Sequence, residues 1–199
     1  MKIRVRDDSV EIEGYVNAIE RLSKPLNSRI GKFTERIKKG AFKRAIERND
    51  NVHILLNHNW DKDLGSTKQG NLELNEDSIG LRAKAVINDR EVIDKARNGD
   101  LVGWSFGFAD RDVETHSEDG MTTRDVKDLD LYEVSILDRT RTPAYEGTMV
   151  SVRSDENIYH SSPLETEIEI RDESKPEEKH KDIDYSKAEN LINEMKGEN

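Results

Sequence analysis
Apolar and polar residues alternate again and again along the first two thirds of this 199-residue chain, and a period of two is the signature of half-buried β-strands. In residues 79–87, Ile79, Leu81, Ala83, Ala85 and Ile87 fall on one side of an extended chain. Residues 2–18 repeat the pattern through Ile3, Val5, Val10, Ile12, Gly14, Val16 and Ala18, broken at Asp7-Asp8. Val52-His53-Ile54-Leu55-Leu56 reads as a buried strand. Leu72 and Leu74 open another, joined to the next by a hairpin turn at 76–80. Residues 101–109 and 129–136 add two more, and Met149 to Val152 a last short one. Residues 19–33 read as loop, and the polar stretch 110–128 as a mobile loop or an open hairpin. Helical spacing appears only twice. Thr34 to Arg48 places Ile37, Ala41, Phe42, Ala45 and Ile46 along one side, with Gly40 able to split it. Asp89 to Arg97 has Asp89 as N-cap, Val92, Ile93 and Ala96 as its stripe, and Gly99 just past its end. Many short strands with two short helices predict a β-rich α+β fold, a barrel or sandwich with peripheral helices.

Charge is distributed unevenly. Residues 151–199 hold 7 Lys/Arg and 14 Asp/Glu, so seven of the ten net negative charges lie there. With few large apolar residues and with Pro163 and Pro176, residues 154–199 read as an acidic, largely disordered tail. One piece stands apart. Ser186 and Glu189 form a capping box before Leu191, Ile192 and Met195, which predicts a short helix at 187–196 that either docks through its stripe or frays without a role. The chain has no cysteine, which excludes disulfides, thiolate metal sites and a cysteine nucleophile. No basic face argues for nucleic acid, and no apolar run is long enough for a membrane span or a signal peptide. The expectation is a soluble intracellular protein with neither cofactor nor metal.

Gly103-Trp104-Ser105-Phe106-Gly107 carries the chemistry. A small hydroxyl between two aromatics is unusual for core packing, and flanking glycines let a substrate backbone approach it. A serine nucleophile needs a base, usually histidine. Of five histidines, His116 lies in the polar stretch and His160 and His180 in the tail, so solvation accounts for them. His53 and His58 flank the apolar run 54–56 on opposite faces, and His58 sits where a side chain can turn into a cleft. The plain alternative for His58 is a strand-end residue bonded to a loop. The orienting acid should be a half-buried carboxylate. Glu133 interrupts Leu131-Tyr132-Glu133-Val134-Ser135-Ile136-Leu137, where it is either paired or on the solvent side of an edge strand. Asp130 and Asp138 sit at the edges of that run, where water accounts for them.

Gly-Trp-Ser-Phe-Gly also fits the nucleophile elbow of α/β-hydrolases, but that fold needs a helix directly after the serine and a histidine after the acid. Here Phe108-Ala109-Asp110-Arg111-Asp112 runs into polar sequence, and the only later histidines are His160 and His180.

Three segments in order resemble the prohead proteases of tailed phages, of the HK97 type, which are related to the herpesvirus assembly proteases. They are Lys39-Gly40-Ala41-Phe42 with Leu55-Leu56-Asn57-His58-Asn59, then Gly103-Trp104-Ser105-Phe106-Gly107-Phe108, then Leu131-Tyr132-Glu133-Val134-Ser135-Ile136 followed by Pro143-Ala144. The resemblance covers roughly residues 1–150. It implies a small closed β-barrel with peripheral short helices, and a protease domain over 1–153. It implies His58 as general base, Ser105 as nucleophile and Glu133 as the third member, a place where the herpesvirus relatives use a second histidine. Arginines in a comparable place of those relatives support the oxyanion hole, which makes Arg139 and Arg141 candidates; a surface salt bridge is the plain reading of either. The implied task is a serine endopeptidase that cuts scaffold and capsid-protein extensions, and itself, in the procapsid inside the host cytoplasm. The major capsid protein and scaffold are the implied partners, with a homodimer as one candidate state. Two other classes stay open: a catalytically inert assembly or scaffold factor, and an unrelated small serine hydrolase.

Overall fold
The computed structural model describes residues 1–28, 31–118, 121–140, 151–153, 156–160 and 167–174. In chain order the elements are β1 (Lys2–Val5), β2 (Val10–Ala18), β3 (Leu26–Ser28), β4 (Gly31–Ile37), α1 (Ala41–Arg48), β5 (His53–Leu56) and β6 (Asn59–Ser66). They continue with β7 (Leu72–Glu76), β8 (Gly80–Ile87), α2 (Arg90–Arg97), β9 (Leu101–Glu118), β10 (Met121–Asp138), β11 (Ser151–Arg153), β12 (Glu156–His160) and β13 (Glu169–Asp172). One sheet runs β13-β1-β2-β8-β7. The other runs β11-β12-β9-β10-β4-β3, with β5 also on β10 and β6 on β5. The expected β-rich fold with two short helices is present, but the described strands close no barrel: the paths end at separate edge strands. Alternation marks strand content; closure depends on which edges meet, which it does not encode.

The early alternation folds as expected. Ile3, Val5, Val10, Ile12 and Val16 are buried, as are Leu81, Ala83, Ala85 and Ile87. Ile79 departs from the pattern, exposed in the turn before β8. Helix α2 matches its expected span: the Asp89 carboxylate accepts from the Val92 amide at 3.1 Å, and Val92, Ile93 and Ala96 are buried.

Three expectations are corrected. The helix expected over 34–48 starts only at Ala41, because Gly40 in a left-handed conformation (φ 88°) turns the chain there. Residues 31–37, expected as the end of a loop up to 33 and the start of a helix from 34, are instead strand β4, with Phe33, Glu35 and Ile37 pointing inward at period two. The pattern was hidden because one inward position is a glutamate, and that carboxylate takes a hydrogen bond from Arg124 Nη1 at 2.6 Å. Of the two alternatives for the polar stretch 110–128, the hairpin is the one present: its described residues form the outer half of the β9–β10 hairpin, paired out to Met121 opposite Glu118. Its polarity is met across strands, as in the two-pronged Arg36–Asp125 pair at 2.8 and 2.7 Å.

The third correction concerns two short described pieces of the tail, residues 156–160 and 169–172, which are strands. β12 lies against β9, and β13 runs parallel to β1 with Lys2 opposite Glu169 through Val5 opposite Asp172. The Met1 ammonium donates to the Glu167 carbonyl at 2.5 Å, and the Glu169 and Glu173 amides donate to Met1 and Val5 carbonyls. Backbone pairing needs no apolar composition, so a charged sequence conceals it. The expected helix at 187–196 lies outside the described residues.

Candidate active site
β9 places Ser105 by alternation. Trp104, Phe106 and Phe108 project into the main apolar core, where Phe106 packs edge-on against Phe42 at 5.1 Å and stacks on Phe108 at 5.1 Å. Gly103, Ser105 and Gly107 therefore face the other way. The aromatics anchor the strand and the hydroxyl between them points elsewhere. Ser105 is fully buried.

The antiparallel register of β10 sets Ser135 opposite Ser105 and Glu133 opposite Gly107. Directly opposite residues share a face with Cβ atoms about 4.5–5.5 Å apart. Glu133 is fully buried at 1% exposure. On the far edge of β10, β5 pairs in parallel and then turns back into β6 through Asn57 and His58. Both turn residues have left-handed backbones, φ 57° and 59°, the geometry of a two-residue hairpin link and one in which Asn and His are enriched among non-glycine residues. The Asn57 amide donates to the Ile136 carbonyl at 2.9 Å, and Asn57 Oδ1 accepts from the Asp138 amide at 3.1 Å. This pinning swings His58 over β10.

His58 Nδ1 lies 2.7 Å from Glu133 Oε1. Against an ionised carboxylate, which can only accept, a neutral imidazole carries its proton on Nδ1 and keeps the Nε2 lone pair. Ser135 Oγ donates to Glu133 Oε2 at 2.6 Å and accepts from the His58 amide at 3.0 Å. Gly107 leaves room for this acid: a Cβ there would sit 2.4 Å from Glu133 Oε1. Beneath the turn, Asp138 is nearly buried. Burial opposes its ionisation, but hydrogen bonds from Thr140, Lys95 and Asn57 outweigh that and hold its pKa at about 2. Water does not account for Asp138, contrary to the expectation from sequence.

The structure thus brings His58 and Glu133 into contact and sets Ser105 across from the serine that holds them. Arg139 is exposed and pairs with Asp100 at 3.8 Å, and Arg141 lies outside the described residues. His53 bonds Asp63 at 2.8 Å, and His116 is exposed on the hairpin. His160, expected in solvent, has its backbone opposite Gly107, and His180 lies outside the described residues. Sequence reasoning missed Asn57 and Ser135. The spacing of Ser135, two residues from Glu133 in a strand, was the available signal. Among the described residues no group of three His, Asp or Glu side chains could hold a metal, and no helix is long and apolar enough to cross a membrane.

The sequence profile described as caudovirus prohead serine protease matches residues 1–161, most of the chain. No curated protein and no solved structure matches it.

Proposed function
The chain belongs to the caudovirus prohead serine protease family, whose role is capsid maturation, and from that premise we propose that it is an endopeptidase with Ser105 as nucleophile, His58 as general base and Glu133 as orienting acid. The observation that carries this reading is the 2.7 Å contact of His58 Nδ1 with a fully buried Glu133 on the strand paired with that of Ser105. Ser105 Oγ attacks the scissile carbonyl while His58 Nε2 takes its proton, giving an acyl-enzyme and a tetrahedral oxyanion on the way. The imidazolium, stabilised by Glu133, then protonates the leaving amine; the same nitrogen later activates water for deacylation. Backbone amides near Ser105 hold the oxyanion, with Arg139 and Arg141 as outer support.

The substrates are capsid-protein extensions and scaffold within the procapsid of the infected host, and the acidic tail tethers the enzyme to scaffold. Self-cleavage is part of the proposal. It is supported by β12, a segment of the same chain seated on β9 at Phe108 and Gly107, two residues from Ser105. A homodimer is likewise proposed and is read by light scattering at two concentrations.

A fluorophosphonate probe tests the assignment. One adduct, mapped to Ser105, should form on the full-length chain and be absent from Ser105→Ala and strongly slowed in His58→Ala. A chain that takes no adduct and cuts nothing would move the inert assembly factor to first place.

A further inference from the structure
Ser135 lies at the junction of three elements that the proposed reaction must keep aligned. It is fully buried on β10, opposite Ser105 of β9, and it touches the turn that carries His58. Its hydroxyl has one proton and two lone pairs. The His58 amide can only donate, so it takes a lone pair. The proton is then committed to Glu133 Oε2, which cannot donate when ionised. Both directions are fixed by chemistry, and one oxygen ties the backbone of the base to the carboxylate that orients its ring.

The two bonds act on different freedoms. Glu133 Oε1 faces His58 Nδ1, and rotation of the carboxyl about its last bond would lose that alignment. The Ser135 bond to Oε2 stops the rotation. The bond to the His58 amide fixes the backbone of the turn residue that carries the base, held in a left-handed conformation with φ 59°. We propose that Ser135 is a positioning residue of the protease: its hydroxyl clamps Glu133 and the His58 backbone together so that His58 Nε2 is presented to Ser105. The inference rests on the triad proposed above.

The test measures the maximal inactivation rate and apparent affinity of the full-length chain for a fluorophosphonate, beside its thermal midpoint. Ser135→Ala should lower the maximal rate by about 10–100-fold while leaving probe affinity within about twofold, since misplacement by a fraction of an ångström slows proton transfer without closing the probe's site. Ser135→Thr keeps the hydroxyl and should recover most of that rate. Ser135→Cys, with a weaker donor of similar size, should fall between and serves if the alanine chain does not fold. In a Ser105→Ala background, the downfield proton signal of His58 Nδ1–H should broaden or disappear on adding Ser135→Ala. A Ser135→Ala chain labelled at the wild-type rate, or threonine and alanine chains equally slow, would overturn the clamp and leave Ser105 as nucleophile intact. A wild-type chain without an adduct at Ser105 would instead remove the triad, and the clamp with it.

Discussion
Gly107 and Glu133 face each other across two strands, and the absence of one side chain makes space for the other. A carboxylate so deeply buried is costly unless its charge is met, and here His58 Nδ1 and the Ser135 hydroxyl are among the groups that meet it. Gly107→Ala would push a methyl group to within 2.4 Å of Glu133 Oε1 and displace it from the imidazole. The expected result is a chain destabilised by about 1–3 kcal/mol in denaturant unfolding and slowed about 10²-fold or more towards the probe. Wild-type labelling by Gly107→Ala would show that the close approach does not matter. At this scale much was legible: an isolated Glu inside an apolar run and a Ser between glycines both pointed to a site. Ser135 was not, because its value comes from a turn 77 residues away in the chain.

Strand β4 shows what patterning conceals at the scale of the element. Period-two reading looks for apolar residues, and Glu35 holds an inward position by pairing with Arg124. Burial raises the Glu35 pKa to about 7, overcoming the pull of Arg124, while Asp110 on the same guanidinium adds to the rise. The folded chain therefore keeps a proton that the unfolded chain loses near the ordinary carboxylate value. Stability from this group is greatest at low pH and is lost as pH rises from about 4.5 to about 7, by on the order of 3 kcal/mol. Glu35→Gln should flatten that part of the stability–pH curve in urea unfolding, and parallel curves for the two chains would contradict the account. Helix α2 was legible because Asp89 supplies a local cap. Helix α1 was misjudged because the spacing continues through Ile37, and only the left-handed backbone at Gly40 ends the strand before it.

For the whole molecule, β-richness was readable and closure was not. Strand content follows from local alternation, though not every strand shows it, whereas the edges that meet depend on pairings between distant segments. The docked tail is the clearest case: Ile168 and Ile170 alternate with charges but stay partly exposed, and backbone bonds to β1 hold the strand. Deleting residues 167–199 removes β13 and bares β1, and should lower the thermal midpoint by about 3–6 °C. Deleting only 175–199 keeps β13 and should lower it less, and equal midpoints for both deletions would contradict the docking. The central claim is that this chain matures capsids through Ser105, His58 and Glu133. Intact-mass spectrometry of the capsid protein co-expressed with wild type, Ser105→Ala or Glu133→Gln tests it most directly. Loss of a defined segment with wild type, none with Ser105→Ala, and a rate lowered by about 10²–10⁴-fold with Glu133→Gln are the predicted results. Identical capsid-protein masses with wild type and Ser105→Ala would contradict it.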